Sequence, residues 1–188
     1  MRRFTREQLL AHHGAGVPDL IGPDVRLLFV GINPGLWTAA VQAHFAHPAN
    51  RFYPALLAGG IIERPIHAAD GMAEADRAYL VKRGIGITNL VPGATTRADE
   101  VSTADLRAGR KRLGELVDEY RPEVVAVAGI TAYRSAFGRR WATPGKQPEP
   151  IGEAELWVVP NPSGLNAHEN IHSLGAAYRA AALAAGVV

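Results

Sequence analysis

Three asparagines stand in short loops where an amide can do chemistry. They are Asn33 in Gly31-Ile32-Asn33-Pro34-Gly35, Asn89 in Asn89-Leu90-Val91-Pro92-Gly93, and Asn161 in Asn161-Pro162-Ser163-Gly164-Leu165. An amide orients a water or a polar ligand without being a strong base; Asn33, followed by proline, also suits a turn. Asp99, in TTRADEVS, offers a carboxylate that can act as a general base or stabilise positive charge, or that simply approaches a helix from solvent. His168-Glu169-Asn170-Ile171-His172 spells H-E-x-x-H, in which two histidines one helical turn apart hold zinc. Zinc needs a third protein ligand, and no carboxylate or histidine follows His172. His168 also falls at the expected start of the last helix, where the two rings need not face one another. No metal is expected.

The elements that carry these loops follow from apolar patterning. Strands are expected at 25–30, 85–91, 124–128 and 156–160, and helices at 52–58, 74–83, 132–137 and about 169–185. A longer helix is capped by Ser102 or Thr103 and carries Leu106, Leu113, Leu116, Val117 and Tyr120 on one face. A Pro/Gly-rich connection spans 143–152. Strands apolar on both faces and alternating with helices imply a three-layer α/β/α sandwich around a mostly parallel sheet. Ligands in such folds lie outside the carboxyl ends of the strands. The three asparagine loops therefore share one rim and read as one site. The whole of 1–188 is read as a single domain, with 1–22 as a peripheral N-terminal segment.

GINPG at 31–35, FAHPANRF at 45–52, the TNLV strand end at 88–91 and NPSGL at 161–165 occur in one order. Together they resemble the mismatch-specific uracil-DNA glycosylase family, relatives of thymine-DNA glycosylase, over roughly residues 25–180. The resemblance implies an enzyme that flips uracil, and related pyrimidines, out of mismatched double-stranded DNA and hydrolyses the glycosidic bond to leave an abasic site. By the same resemblance Asn33 holds the attacking water, and Asp99 stands where members can carry an amide. Phe45 is either a ring for the flipped base to stack on, with backbone groups of Ile32 reading the base edge, or a core residue, and Thr38, Trp37 and Asn89 are candidates for the pocket. Leu165 is the apolar wedge that fills the vacated space, presented by Asn161, Ser163 and Gly164, with Asn166 near the partner base. Members often carry Ser and Arg just past this loop; here the chain reads Asn166-Ala167-His168, which changes how the partner base can be met.

Composition narrows the chemistry further. The chain has 188 residues and no cysteine, which excludes disulfides, thiolate zinc, iron–sulfur clusters and a cysteine nucleophile. No lysine occupies a recognised nucleophile position, so a one-step hydrolysis without a Schiff base is expected. The net charge is only +2, but 17 of 20 basic residues are arginine, the side chain suited to bidentate phosphate contacts. Arg2, Arg3 and Arg6, and Arg107, Arg110, Lys111 and Arg112, are candidate phosphate contacts, the second group also reading as a solvated helix face. The uncharged stretch 27–50 is broken by polar residues and prolines and cannot span a bilayer. The start MRRFTREQLLAHH lacks a signal-peptide apolar run. A cytoplasmic monomer acting on double-stranded DNA, with no cofactor and no membrane, is expected. The alternatives are a non-catalytic mismatch or abasic-site binder and a zinc hydrolase.

Overall fold

The computed structural model describes residues 3–188. Its elements in chain order are α1 (Arg6–Leu10), β1 (Leu27–Gly31), α2 (Leu36–Val41), α3 (Phe52–Ala58), α4 (Glu74–Lys82), β2 (Ile85–Asn89), a 3₁₀ turn (Ala98–Glu100), α5 (Thr103–Tyr120), β3 (Val124–Ala128), α6 (Ile130–Phe137), β4 (Gly145–Lys146), β5 (Glu155–Val159) and α7 (Ile171–Ala184). The sheet order is β2-β1-β3-β5-β4. β1 pairs in parallel with β2 and β3, and β3 with β5, whereas β4 runs antiparallel to β5.

Strand pleating sorts the apolar residues into two cores. Leu27 and Phe29 of β1 face one side, where Phe52, Leu56, Leu174 and Tyr178 of α3 and α7 cover them. Leu28 and Val30 face the other, against Leu106, Leu113 and Val117 of α5 and Tyr133 of α6. These are the three layers expected from strands apolar on both faces. α3 and α7 approach closely because each contributes a glycine: a Cβ at Gly59 would lie 2.6 Å from the Gly175 carbonyl oxygen. After β2 the chain crosses over β1 to β3, so the loops leaving β1 and β3 diverge and open a crevice at their carboxyl ends.

Several boundaries differ from the sequence reading. The first strand begins at Leu27 because Val25 closes a turn onto the Gly22 carbonyl. α6 starts at Ile130, directly after Gly129 at φ 116°. Ser102, not Thr103, caps α5, accepting from the Asp105 N–H. α7 starts at Ile171 because Asn170 caps it, accepting from the His172 and Ser173 N–H groups. Residues 143–152, read as connection only, contain β4, held by its pairing to β5. α1 and α2 were not visible in the apolar pattern. α1 has no fully buried residue, only Leu9 packing partly buried against the Val17, Leu36, Ala39 and Ala94 cluster, and starts on a Thr5–Gln8 capping box; α2 is six uncharged residues after Gly35. Within the N-terminal segment, Leu20 exchanges both backbone bonds with Ile87 at 2.9 and 2.7 Å, and Gly14 donates to the Ala94 carbonyl at 2.8 Å. Among the described residues no helix is long and apolar enough to cross a membrane.

Candidate active site

Asn33 leaves the end of β1 with its amide clamped. Nδ2 donates to the carbonyls of Pro34 and Gly93 at 3.1 Å each and to Thr95 Oγ1 at 2.8 Å. Thr95 Oγ1 in turn donates to the Arg97 carbonyl at 2.7 Å, so it can only accept from Asn33. With acceptors on all sides of Nδ2, the amide has one orientation. Oδ1 faces away from them, and among the described residues nothing donates to it. Neither Ile32 nor Asn33 gives its backbone N–H to a backbone carbonyl among the described residues. The end of β1 thus offers one fixed acceptor and two donors.

Asn89 ends the neighbouring strand β2, in register with Gly31. Its Nδ2 meets His44 Nδ1 at 3.2 Å, and His44 Nε2 meets the Pro18 carbonyl at 2.9 Å. A carbonyl only accepts, so Nε2 carries the proton and Nδ1 accepts from Asn89. Burial holds the His44 pKa below its ordinary value, keeping the ring neutral. The Asn89 amide is thereby oriented with Oδ1 toward Gly31: a Cβ at Gly31 would lie 2.4 Å from it and 3.3 Å from Cζ of Phe45. Arg112 holds the Asn89 carbonyl at 2.7 Å. Phe45 has φ 53°, a left-handed conformation that a bulky residue adopts only where its surroundings impose it. Its ring stacks on Phe52 at 4.1 Å and 24°, and the Tyr53 hydroxyl fixes the preceding His44 carbonyl at 2.9 Å.

The 161–165 loop follows β5 on the same rim. A Cβ at Gly129, the residue between β3 and α6, would lie 3.4 Å from Cδ1 of Ile32 and 3.8 Å from Cβ of Asn161, so the segments leaving β1, β3 and β5 meet. The loop braces itself: Asn161 Oδ1 accepts from the Ser163 N–H at 2.9 Å, Ser163 Oγ from the Leu165 N–H at 3.2 Å, and Asn166 Nδ2 donates to the Asn161 carbonyl at 3.0 Å. Leu165 stands on it 92% exposed, an unusual place for an aliphatic side chain on so ordered a loop.

The other sequence-predicted residues fall elsewhere. Asp99 lies in the 3₁₀ turn, 64% exposed, with Arg97 bonded to both carboxylate oxygens at 3.0 and 2.5 Å. It joins the Asn33 network only through Thr95 and the Arg97 backbone. Trp37 donates to the Ala69 carbonyl at 2.9 Å and packs edge-on against Phe4 at 4.9 Å, while Thr38 is buried in α2. Arg112, a candidate phosphate contact, is turned inward instead, bonding Asp19 at 3.1 Å, Thr88 at 3.0 Å and the Asn89 carbonyl. Arg3, Arg6, Arg107, Arg110 and Lys111 are exposed, with Arg110 5.3 Å over the Phe137 ring. Arg2 lies outside the described residues. The H-E-x-x-H segment is not one helical face: His168 and Glu169 precede the Asn170 cap, and Glu169 bonds Ser173. A cavity of about 490 Å³ lies beside β4, lined among others by Tyr133, Arg139, Arg140, Trp141 and Gln147, and shares no lining residue with the asparagine loops.

His44 and Thr95 are site residues that sequence reasoning missed. His44 lies beside the FAHPANRF segment, which could have drawn attention to it. Thr95 carries no local signal, because its partner is 62 residues away.

The model of the uracil DNA glycosylase superfamily matches residues 18–184. The fold is similar to that of an NMR structure from Methanosarcina acetivorans, named as a candidate uracil DNA glycosylase. The TM-score is 0.59 at 16% identity, over 89% of this chain and 96% of that one. At that identity the likeness speaks for the fold alone, while the family match spans nearly the whole chain and includes all three asparagine loops. The chain belongs to the uracil-DNA glycosylase superfamily.

Proposed function

We propose that this protein is a monofunctional glycosylase of the mismatch-specific type, which hydrolytically excises uracil, and related pyrimidines, from double-stranded DNA. The observation that carries this reading is the clamped Asn33 amide, whose Oδ1 has no donor among the described residues and stands beside the backbone N–H groups of Ile32 and Asn33, which meet no backbone carbonyl there. Oδ1 accepts a hydrogen bond from water and aims its lone pair at the sugar C1′ of a flipped nucleotide. The C1′–N1 bond breaks with its electron pair leaving on the base, the water oxygen bonds to the cation-like C1′, and the proton the water loses passes to the departing base anion, so the products are the neutral base and an abasic sugar with a C1′ hydroxyl. The Ile32 and Asn33 N–H groups stabilise the anion at the pyrimidine oxygen, an effect worth about a hundredfold or more per donor where such donors are fixed in advance.

Asn89 supplies selectivity. With one Nδ2 hydrogen held by His44, the amide cannot turn over and its Oδ1 is fixed as an acceptor, which fits the N3–H of uracil and opposes the lone pair on N3 of cytosine. Phe45 offers a ring for the flipped base to stack on. Leu165 enters the duplex from the partner side, filling the gap left by the base, with Gly164 and Asn166 beside the partner strand. Asp99, with its charge shared by Arg97, contributes at most a long-range stabilisation of the cation-like sugar.

The second reading, a non-catalytic binder of mismatches or abasic sites, is favoured by one feature, the exposed Leu165, which needs no chemistry to act. Release of base from labelled duplexes carrying uracil opposite each of the four bases, with single-stranded uracil alongside, separates the two. Multiple-turnover release from a G·U duplex supports the proposal. Tight lesion binding without release supports the binder.

A further inference from the structure

We propose that Arg51 is a positioning residue that locks the 161–165 loop to the loop carrying Phe45, so that the stacking ring and the inserting leucine act as one preformed unit. This rests on the reading of Leu165 as a wedge. Arg51 lies at the end of the FAHPANRF segment, immediately before α3. Its backbone N–H donates to the Pro162 carbonyl at 3.0 Å. Its guanidinium donates to the carbonyls of Ser163, Glu169 and, at 2.9 Å, Asn166. Four bonds from one residue thus fix both ends and the middle of the segment that displays Leu165. From the other side Gly164 seats against the same loop, where an added Cβ would lie 2.7 Å from the Ala49 carbonyl oxygen.

The partners are backbone oxygens spread over seven residues, and this explains the side-chain type. A planar guanidinium presents five donors in a fixed fork, whereas an ammonium is a compact point charge. Lysine would keep the charge and lose most of the bonds. The fork also ties the loop to rigid structure, because α3 starts beside it and packs on α7 through Gly59 and Gly175. A loop ordered in advance does not have to be ordered on binding, which is where preorganisation raises affinity. Phe45, six residues before Arg51 and stacked on Phe52, is held on the same piece.

The test compares the intact protein with Arg51→Lys, Gly164→Ala, Leu165→Ala and the Arg51→Lys/Leu165→Ala pair. Excision is measured on a G·U duplex and on single-stranded uracil. Binding is measured on a duplex holding a tetrahydrofuran abasic analogue beside 2-aminopurine, whose fluorescence rises when the stack opens. Arg51→Lys is expected to lose about tenfold or more in duplex excision, with a weaker 2-aminopurine signal, and to stay within about twofold on single strands. In the Leu165→Ala background it adds less than about twofold, because the group it positions is gone. Gly164→Ala, which displaces the loop without touching the guanidinium, gives the same signature should Arg51→Lys fail to fold. Equal losses on duplex and single strands, or effects that multiply in the pair, would overturn the inference. Leu165→Ala acting alike on both substrates rejects the wedge itself, a separate failure visible in that variant alone.

Discussion

His44 and Asn89 fix each other: the Asn89 amide donates to Nδ1 of a buried imidazole whose other nitrogen donates to the Pro18 carbonyl. The pair works only while the ring is neutral. Burial, the largest influence on it, lowers the folded-state pKa below the ordinary 6.5, with Arg77 acting the same way and the Pro18 bond and Asp19 opposing. The unfolded chain takes up the proton first as pH falls, so the ring's contribution is present above about pH 6.5 and is lost below it. Urea unfolding between pH 8 and 5 is expected to show stability falling below about pH 6.5, by up to about 1.4 kcal/mol per unit. In His44→Gln that part of the slope disappears. A variant that follows the wild-type curve would remove His44 from this account.

Asn33→Ala is expected to lower excision about a hundredfold while leaving the affinity for an abasic-analogue duplex within about threefold, since it removes the water and not the DNA contact. Asp99→Asn is expected to cost less, because Arg97 already neutralises that carboxylate. Single-turnover rates on a G·U duplex check both. A larger loss in Asp99→Asn, together with a rate that falls through a carboxylate titration, would make Asp99 the hydrolytic group.

Thr95→Val keeps shape but removes one of the three acceptors that hold the Asn33 amide. A lost hydrogen bond of this kind is worth about 1 kcal/mol, so a severalfold fall in rate is expected, smaller than that of Asn33→Ala and absent in an Asn33→Ala background. Additive effects in the double variant would show that Thr95 does not act through Asn33.

Gly31→Ala places a methyl where Asn89 Oδ1 and the edge of Phe45 already converge. Excision is expected to fall by about a hundredfold or more, with undamaged-duplex binding unchanged. Unchanged excision would show that the base does not enter between these residues.

Prolonged EDTA is expected to leave excision intact, and His172→Ala to change it by less than about twofold, because His168 lies outside the helix that begins at Ile171. Stoichiometric zinc in the purified protein, with activity lost on chelation, would reverse this.

The layers and the rim were readable in the chain because they rest on short-range patterns. Strands such as 124–128 are apolar at every position, which only a sheet covered on both faces accommodates, and loops rich in Asn, Pro and Gly mark the strand ends. Residue types, through the order of four motifs, nominated Asn33, Asn89, Phe45 and Leu165 as candidates as well. What each side chain does with its neighbours was decided by tertiary structure. Asn33 is clamped by Thr95 from 62 residues away, Asn89 is turned by His44 from 45 away, and Arg51 reaches carbonyls more than 110 residues distant. Arg112 reads from the sequence as a solvated helix face or a phosphate contact, and turns inward because the fold brings Asp19 and Thr88 within hydrogen-bond reach. The H-E-x-x-H letters lost their meaning once Asn170 capped the helix between them. Local sequence dictates backbone conformation and burial, whereas a hydrogen-bond partner is chosen by whichever distant strand or loop the topology brings within 3 Å.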